Sequence, residues 1–377
     1  MGTIGVGIIG SGFMGRSHML AFTIAPRIFP LALEPRLVAL ADSSFDKAQR
    51  MARQFGFARA SRDWRELVRD PEVELVSITT PNHLHRPMAL EAIAAGKHVY
   101  CEKPLAATAR EAEEMAEAAR RAGVVTAVGF NYQQNPIVRV AQDIIRCGEI
   151  GEIWSFRGIH AEDYMSDPER PWDWRMDPAG APGVVGDLGS HIVSMARFLL
   201  GEIVELAADA ATVIRERPRA PGSRERVPVE VPDEFRALLR FESGALGTVE
   251  ASWIATGRKM YHAFEVTGSK GAIAINLERM NEMRLYLRKG LGPGREGFVE
   301  IPTGPEHPDY GAFIPAPAHQ LGYNEIKAIE VRRLLEALAG GPRFHPDFDD
   351  AVKTHRVLDA IMLSAGKRRW VRVADVS

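Results

Sequence analysis

The chain has 377 residues, 46% hydrophobic and 25% charged, the balance of an ordinary globular protein long enough for two domains with separate cores. Its formal net charge of −2 gives no reason to invoke nucleic acid or an anionic membrane surface; the short basic clusters Arg215–Arg226 and Lys367–Arg372 read as solvated loop and last helical turn. Cys101 and Cys147 are the only cysteines, which excludes a disulfide framework or a cysteine-rich zinc site, and no apolar run has the length of a membrane-spanning helix.

The first element is a short apolar run, Ile4–Ile9, that empties into Gly10-Ser11-Gly12-Phe13-Met14-Gly15. A strand ending in three spaced glycines and opening a helix suits a dinucleotide pyrophosphate. Gly10 permits the tight turn, Gly12 lets the backbone approach the phosphates, and Gly15 lets the helix pack close to the strand. Ser11, Phe13 and Met14 complete the loop, and the anion would sit on the helix N-terminal N–H groups. No basic n-region precedes this run, and Val6 stands where myristoylation of Gly2 would require Ser or Thr, so a cytoplasmic location is expected.

Strands follow at Leu37–Asp42, Leu75–Thr80, His98–Lys103 and Val124–Phe130, alternating with helices at Phe45–Phe55, Trp64–Arg69, Arg86–Ala95 and Ala109–Ala122. This alternation predicts right-handed βαβ units and a parallel sheet, whose ligands bind outside the carboxyl ends of the strands. Asp42 closes the second strand, where an acid should hold the adenosine ribose. It lies beyond the usual interval because of a proline-punctuated insertion, Ala25–Pro35. Ser43 and Ser44 stand where an NADP enzyme often has Arg; with no cation for a 2′-phosphate, NAD is expected. Thr79, Thr80, Pro81 and Asn82 end the third strand and face ribose or nicotinamide. His83 and His85 have no third ligand nearby and read as structural, so no metal is expected. His85 and Glu102 are counted with the cofactor-side residues. Lys103, between Glu102 and Pro104 at the fourth strand end, can stabilise a developing alkoxide with its ammonium.

After Asn131 the texture changes. A helix at Pro136–Cys147 leads to a strand at Ile153–His160, a loop rich in Pro, Asp and Trp at Asp163–Pro182, and a helix at Asp187–Leu200. Alternating stretches at Ile203–Glu216, Asp233–Phe241, Leu246–Ala255, Ala263–Thr267, Gly271–Asn276 and Met283–Arg288 predict a mostly antiparallel sheet. Arg217–Pro232, with four prolines, reads as an exposed loop, and helices at Tyr323–Ala339 and Asp349–Gly366 close the chain. The domains are read as residues 1–130 for dinucleotide binding and 131–377 for substrate binding and oligomerisation.

The glycine loop, Thr80-Pro81-Asn82-His83-Leu84-His85, Ala95-Gly96-Lys97-His98-Val99 and Glu102-Lys103-Pro104 together resemble the Gfo/Idh/MocA oxidoreductase family. Gly186-Asp187-Leu188-Gly189-Ser190-His191 is similar to that family's D-x-G-x-H catalytic segment, with Gly183 and Gly186 separated by Val184-Val185 where a glycine pair is common. Closing residues Asp347–Asp350, Ala360-Ile361 and Ser364-Ala365 extend the likeness over essentially the whole chain. Asp163-Tyr164-Met165, Trp172…Trp174-Arg175, Arg279–Glu282 and His319…Gly322–Glu325 look most like the branch of scyllo-inositol dehydrogenases that also oxidise L-glucose. The resemblance implies an α/β protein with an N-terminal Rossmann domain and a C-terminal α/β domain. The open, mostly antiparallel sheet of the latter supports a homo-oligomer, a dimer or tetramer. It also implies NAD-dependent oxidation of a secondary or anomeric hydroxyl of a small polyol, an inositol or aldose.

That chemistry removes a proton from oxygen and a hydride from carbon, the latter going to nicotinamide. His191 is the expected base, since imidazole titrates near neutrality. Asp187, four residues earlier on the same helical face, orients or stabilises it or binds a neighbouring hydroxyl. Lys103 acts from the cofactor side. Arg175 and His319 are expected against the substrate, with Asn131, Tyr132 and Tyr164 lining the same pocket, because a polyol needs charged hydrogen-bonding groups and an aromatic wall. Trp172 and Trp174 read as loop anchors. The alternatives are a redox-assisted glycoside hydrolase of the same family and a non-catalytic NAD or sugar sensor; retention of Lys103, Asp187 and His191 argues for an enzyme.

Overall fold

Runs of Val, Ile, Leu and Ala that are buried on both faces become parallel strands covered by helices. In the first part of the chain these are β1 (Gly2–Ile9), β2 (Leu33–Ala41), β3 (Arg59–Ser61), β4 (Leu75–Ile78), β5 (His98–Cys101) and β6 (Thr126–Val128). They pair in the order β3-β2-β1-β4-β5-β6, all parallel, so the strand order reverses between β1 and β4. A doubly wound sheet binds ligands at that reversal. The intervening helices are α1 (Phe13–Ile28), α2 (Phe45–Phe55), α3 (Trp64–Arg69), α4 (His85–Ala94) and α5 (Ala109–Ala122). Their starts follow local chemistry: the Asp63 carboxylate accepts from Arg65 N–H ahead of α3, and the Thr108 hydroxyl accepts from Glu111 N–H ahead of α5.

The computed structural model describes residues 2–178, 180, 183–289, 292 and 294–376. By their contacts they form two units, the first running to Gln134 and including Gly322–Lys353, the second holding Asn135–Leu321 and the chain from Thr354. The helix Tyr323–Leu338 thus packs on α1 in the first unit. The expected insertion at Ala25–Pro35 is corrected. Helix α1 continues through Pro26 to Ile28, closed by Phe29 N–H on the Ala25 carbonyl, and β2 already begins at Leu33. Pro35 is accommodated because β3 pairs only with Ala39–Ala41, leaving one side of β2 open around it.

The second unit comprises α6 (Pro136–Arg146), β7 (Ile153–Ala161), α7 (Ser190–Leu200), β8 (Ile203–Ala211), β9 (Glu216–Pro218), β10 (Arg226–Pro228), β11 (Glu234–Phe241), β12 (Leu246–Ser252), β13 (Tyr261–Gly268), β14 (Gly271–Asn276), β15 (Glu282–Leu287), β16 (Val299–Pro302) and β17 (Val371–Arg372). Among the described residues nine strands form one sheet in the order β16-β15-β14-β13-β7-β12-β11-β8-β17, with only β7 and β12 parallel. Alternation on β11 puts Phe235, Ala237, Leu239 and Phe241 inside and leaves Arg236, Leu238 and Arg240 on an open face. On the covered face α7 lies so close to β7 that a Cβ at Gly158 would stand 2.6 Å from Ile192 Cδ1.

Two expectations change here. Strand β8 stops at Ala211 because the Asp233 carboxylate accepts from the Val213 and Ile214 N–H groups, each at 2.8 Å. Arg217–Pro232 is only in part the exposed loop expected: positions 219–228 are largely exposed, but β9 and β10 pair as a ribbon, and Val229 and Val231 are buried. Arg217 itself is buried, its guanidinium donating to the Met165 and Asp167 carbonyls at 2.6 and 2.7 Å, so the basic cluster is not wholly solvated. Of the expected loop Asp163–Pro182, Ala179, Ala181 and Pro182 lie outside the described residues. No helix among the described residues is long and apolar enough to cross a membrane.

Candidate active site

Strand β1 ends in the glycine loop, and sterics there leave little choice of residue. Gly10 has φ +99°, and a Cβ on it would lie 2.8 Å from the Thr79 carbonyl oxygen. A Cβ on Gly15 would stand 2.2 Å from the Gly10 carbonyl oxygen, whereas the space beside Gly12 is open. That is a cradle fit for a pyrophosphate: helix and strand are pressed together behind it, and the approach to backbone N–H groups is clear. Thr79 locks the turn, its hydroxyl donating to the Ile9 carbonyl at 2.9 Å.

Asp42 stands just beyond β2, accepting from the Ser11 hydroxyl and Ser11 N–H on one oxygen and from Ser44 N–H on the other. Burial pushes its carboxyl up, but these hydrogen bonds and Lys47 outweigh that and hold it below the usual carboxylate range. An ionised acceptor at this point suits a ribose diol. The expectation that no cation stands here is corrected: Lys47 Nζ lies 3.6 Å from Asp42, and Arg62 Nε donates to the Ser43 carbonyl at 3.3 Å. Lys47 comes from the first turn of α2 and Arg62 from just after β3.

The β4 and β5 ends are joined through His85. Its ring is fully buried, with Nε2 2.9 Å from the Thr80 carbonyl and Nδ1 3.0 Å from that of Pro104, while burial lowers its pKa. Asn82 is buried in the following turn. Asn131 and Tyr132 sit in a turn after β6. Asn131 Nδ2 is buried without a hydrogen-bond partner, and Tyr132 packs edge-on to Tyr323 at 6.1 Å. Tyr323 also meets Phe13 at 5.6 Å and donates its hydroxyl to Met14 Sδ at 3.3 Å, so it backs the glycine loop.

Behind Lys103 lies a buried polar network within the first unit. Glu102 Oε2 accepts from Lys103 N–H at 3.2 Å, and Oε1 accepts from Lys327 Nζ at 2.9 Å and from His18 Nε2 at 2.7 Å. Lys327 also donates to Tyr100 Oη at 3.1 Å and pairs with Glu330 at 2.7 Å, and Tyr100 donates to Glu330. Burial opposes charge on Glu102, but Lys327 and His18 reverse this and keep its carboxyl far down. Burial, reinforced by Lys327, lowers His18 from 6.5 to about 4. A neutral ring donates from Nε2 to Glu102 and accepts at Nδ1 from the Ser77 hydroxyl, 2.7 Å away.

A depressed base binds fewer protons folded than unfolded. The stability carried by His18 is therefore present above pH 6.5 and lost as pH falls through about 4. The shift is worth on the order of 3 kcal/mol. Urea unfolding at about pH 7 and about pH 4.5 should show His18→Gln losing less stability across that interval than the native chain. Equal losses would remove His18 from the account.

In the second unit the expected helix starts earlier than Asp187, with a π turn over Val185–Gly189 that runs into α7. Asp187 lies in that turn, its Oδ2 accepting from the Tyr164 hydroxyl at 2.6 Å and standing 3.3 Å from Arg175 Nε as an ion pair. Burial, then the Asp187 charge, pushes Tyr164 well up, so it remains a neutral donor. Arg175 is steadied by Trp174, whose ring lies 4.4 Å below the guanidinium, a part that the reading of the tryptophans as loop anchors missed.

His191 is nearly buried at the head of α7, with its ring 5.4 Å from His160 and 6.1 Å from His262. Those two stack at 4.5 Å, and His160 Nε2 meets Glu162 Oε1 at 3.2 Å. Burial, then His160, holds His262 well below the ordinary imidazole value. Both extra histidines sit on sheet strands, where alternation marks them only as inward-facing. His319 lies in an exposed loop, Nδ1 3.1 Å from the Pro317 carbonyl. Among the described residues no group of three or more His, Cys, Asp or Glu is arranged to hold a metal ion.

Residues 4–130 match a family model described as "Oxidoreductase family, NAD-binding Rossmann fold", and residues 138–274 match one described as "GFO/IDH/MocA C-terminal domain". Levoglucosan dehydrogenase of Pseudarthrobacter phenanthrenivorans is 39% identical over 390 residues, spanning 100% of both chains. The structure of levoglucosan dehydrogenase in complex with NADH and levoglucosan has a TM-score of 0.94 at 40% identity, covering 98% of this chain and 99% of that one. A structure of an NAD binding oxidoreductase from Klebsiella pneumoniae has a TM-score of 0.93 at 44% identity, covering 98% and 99%.

Proposed function

We propose that this chain, which belongs to the Gfo/Idh/MocA oxidoreductase family, oxidises a secondary ring hydroxyl of a sugar, with bound NAD as the hydride acceptor. Its parallel-sheet unit is an NAD-binding Rossmann domain, and the protein is an NAD-dependent oxidoreductase. The observation that carries the finer reading is likeness over the full length to a levoglucosan dehydrogenase. Levoglucosan is a 1,6-anhydro sugar with its anomeric carbon locked in an acetal, so only secondary hydroxyls are open to oxidation. This favours a secondary over an anomeric hydroxyl.

The glycine cradle and Asp42 would hold the pyrophosphate and adenosine ribose, with Thr79 to Asn82, His85 and Glu102 shaping the strand ends around the rest. His191 takes the hydroxyl proton, and Lys103 stabilises the negative charge growing on that oxygen. Asp187, held by Tyr164 and Arg175, is an ionised acceptor for a neighbouring hydroxyl. Arg175 donates to adjacent hydroxyls, Asn131 offers its buried amide, and Tyr132 and His319 complete the substrate contacts.

The loop motifs similar to scyllo-inositol and L-glucose dehydrogenases favour a second reading, with a cyclitol or free aldose as substrate. A homo-oligomer through the open sheet face, which exposes Leu238 and Leu246, and a cytoplasmic location complete the proposal. NADH absorbance should rise with levoglucosan, and less with inositols, L-glucose and D-glucose. A faster rate on scyllo-inositol would transfer the assignment to the cyclitol branch. Cleavage of a glycoside without net NADH would mark redox-assisted hydrolysis, and silence across the panel would sink the proposal.

A further inference from the structure

The network behind Lys103 is costly to build, since its members are charged or polar and have almost no access to water. Glu102 is only 4% exposed, and His18, Tyr100, Lys327 and Glu330 are at 0%. Buried ion clusters are weak sources of stability, because well-packed apolar residues of similar volume serve as well or better. What such a cluster supplies is fixed geometry. Each of the three N–H groups of Lys327 has an oxygen to meet, on Glu102, Glu330 and Tyr100. Glu102 is held at both oxygens and wedged from behind, since a Cβ at Gly129 would stand 2.5 Å from Oε1. Its second oxygen takes the backbone N–H of Lys103. The His18 ring, on the helix that follows the glycine loop, stacks on Tyr100 at 4.4 Å and binds the same Glu102 oxygen as Lys327.

We infer that Lys327 is a positioning residue for Lys103: by clamping the Glu102 carboxylate against His18, it fixes the β5 end relative to the glycine-loop helix. One carboxylate, clamped from a helix more than 200 positions further along the chain, then sets where the Lys103 backbone, the root of the reactive side chain, stands with respect to the pyrophosphate cradle. The inference rests on the reading of Lys103 as the group that stabilises the reacting oxygen.

The test compares Lys327→Met, the charge-balanced Lys327→Met/Glu102→Gln, Tyr100→Phe and Lys103→Ala in the full chain. NADH is titrated by fluorescence, and turnover is followed on the panel sugar oxidised fastest. Lys327→Met strands two buried carboxylates, Glu102 and Glu330, and should lower the Tm. The double variant removes the Glu102 charge but leaves Glu330 with only the Tyr100 hydroxyl, so it should regain part of that loss while kcat stays about ten- to a hundredfold down. KM for the sugar and Kd for NADH should remain within about twofold, because displacing a reacting group by a fraction of an ångström costs rate before binding. Tyr100→Phe removes a single hydroxyl from the clamp and should lower kcat by about two- to fivefold with a smaller fall in Tm than Lys327→Met, a readout that survives if both Lys327 variants fail to fold. Native kcat in a folded double variant, or in Tyr100→Phe, overturns the inference. So does a fall of kcat with KM and Kd rising in step with the loss of Tm, which marks a purely structural part. Full turnover by Lys103→Ala would instead overturn the catalytic reading on which this rests.

Discussion

Turnover by Lys103→Ala and by His191→Ala should fall by about 10²–10⁴-fold while NADH binding stays within a few-fold of native. The two losses have different physical sources. Removing the ammonium leaves charge on the reacting oxygen to be met by water, and removing the imidazole leaves the hydroxyl proton without an acceptor. Neither residue belongs to the glycine cradle or the Asp42 carboxylate, which should carry most of the NADH affinity. Steady-state NADH absorbance and fluorescence titration separate rate from affinity. A double variant that still turns over at native rate would end the assignment of both residues.

The glycine loop yields the second large effect, as a contrast between two alanines. Gly15→Ala drives a Cβ to 2.2 Å from a backbone carbonyl, where nothing flexible can move aside. Overpacking of that kind costs about 1–3 kcal/mol, and the displaced helix should lose NADH as well. At Gly12 the backbone is ordinary and a Cβ meets nothing within 4 Å, so Gly12→Ala should keep native stability. It should still weaken NADH by about tenfold, or 1.4 kcal/mol, because the methyl group occupies the path of the phosphates. Thermal unfolding together with NADH titration distinguishes the two, and equal behaviour of both variants would contradict the cradle.

The parallel sheet was legible because its signals are local: apolar strands, glycines at fixed offsets, and an acid at the end of β2. The Asp187 and His191 segment was legible as a motif. Long-range placement was not. Periodicity gives the helix Tyr323–Leu338 an apolar face, but does not say that it brings Lys327, Glu330 and Tyr323 to the dinucleotide-binding sheet. Composition makes Arg217 look solvated because the carbonyls that receive its guanidinium lie some fifty positions earlier. His160 closes an expected strand and His262 falls just ahead of another, and only the register of β7 and β13 stacks their rings.

The π turn at Val185–Gly189 bears on how this site can change over generations. Such a turn holds more residues than an α turn, and losing one of them would restore a regular spiral. Side chains on either side of the turn would keep their bearing, because its five residues sweep about the same angle as four at about 100° each, and only those within it, Asp187 among them, would be re-aimed. The carboxylate of Asp187 would leave Tyr164, while His191 stayed where the sheet holds it. Single-letter exchanges can tune this corner, but shortening it by one codon should uncouple acid from imidazole in a single step.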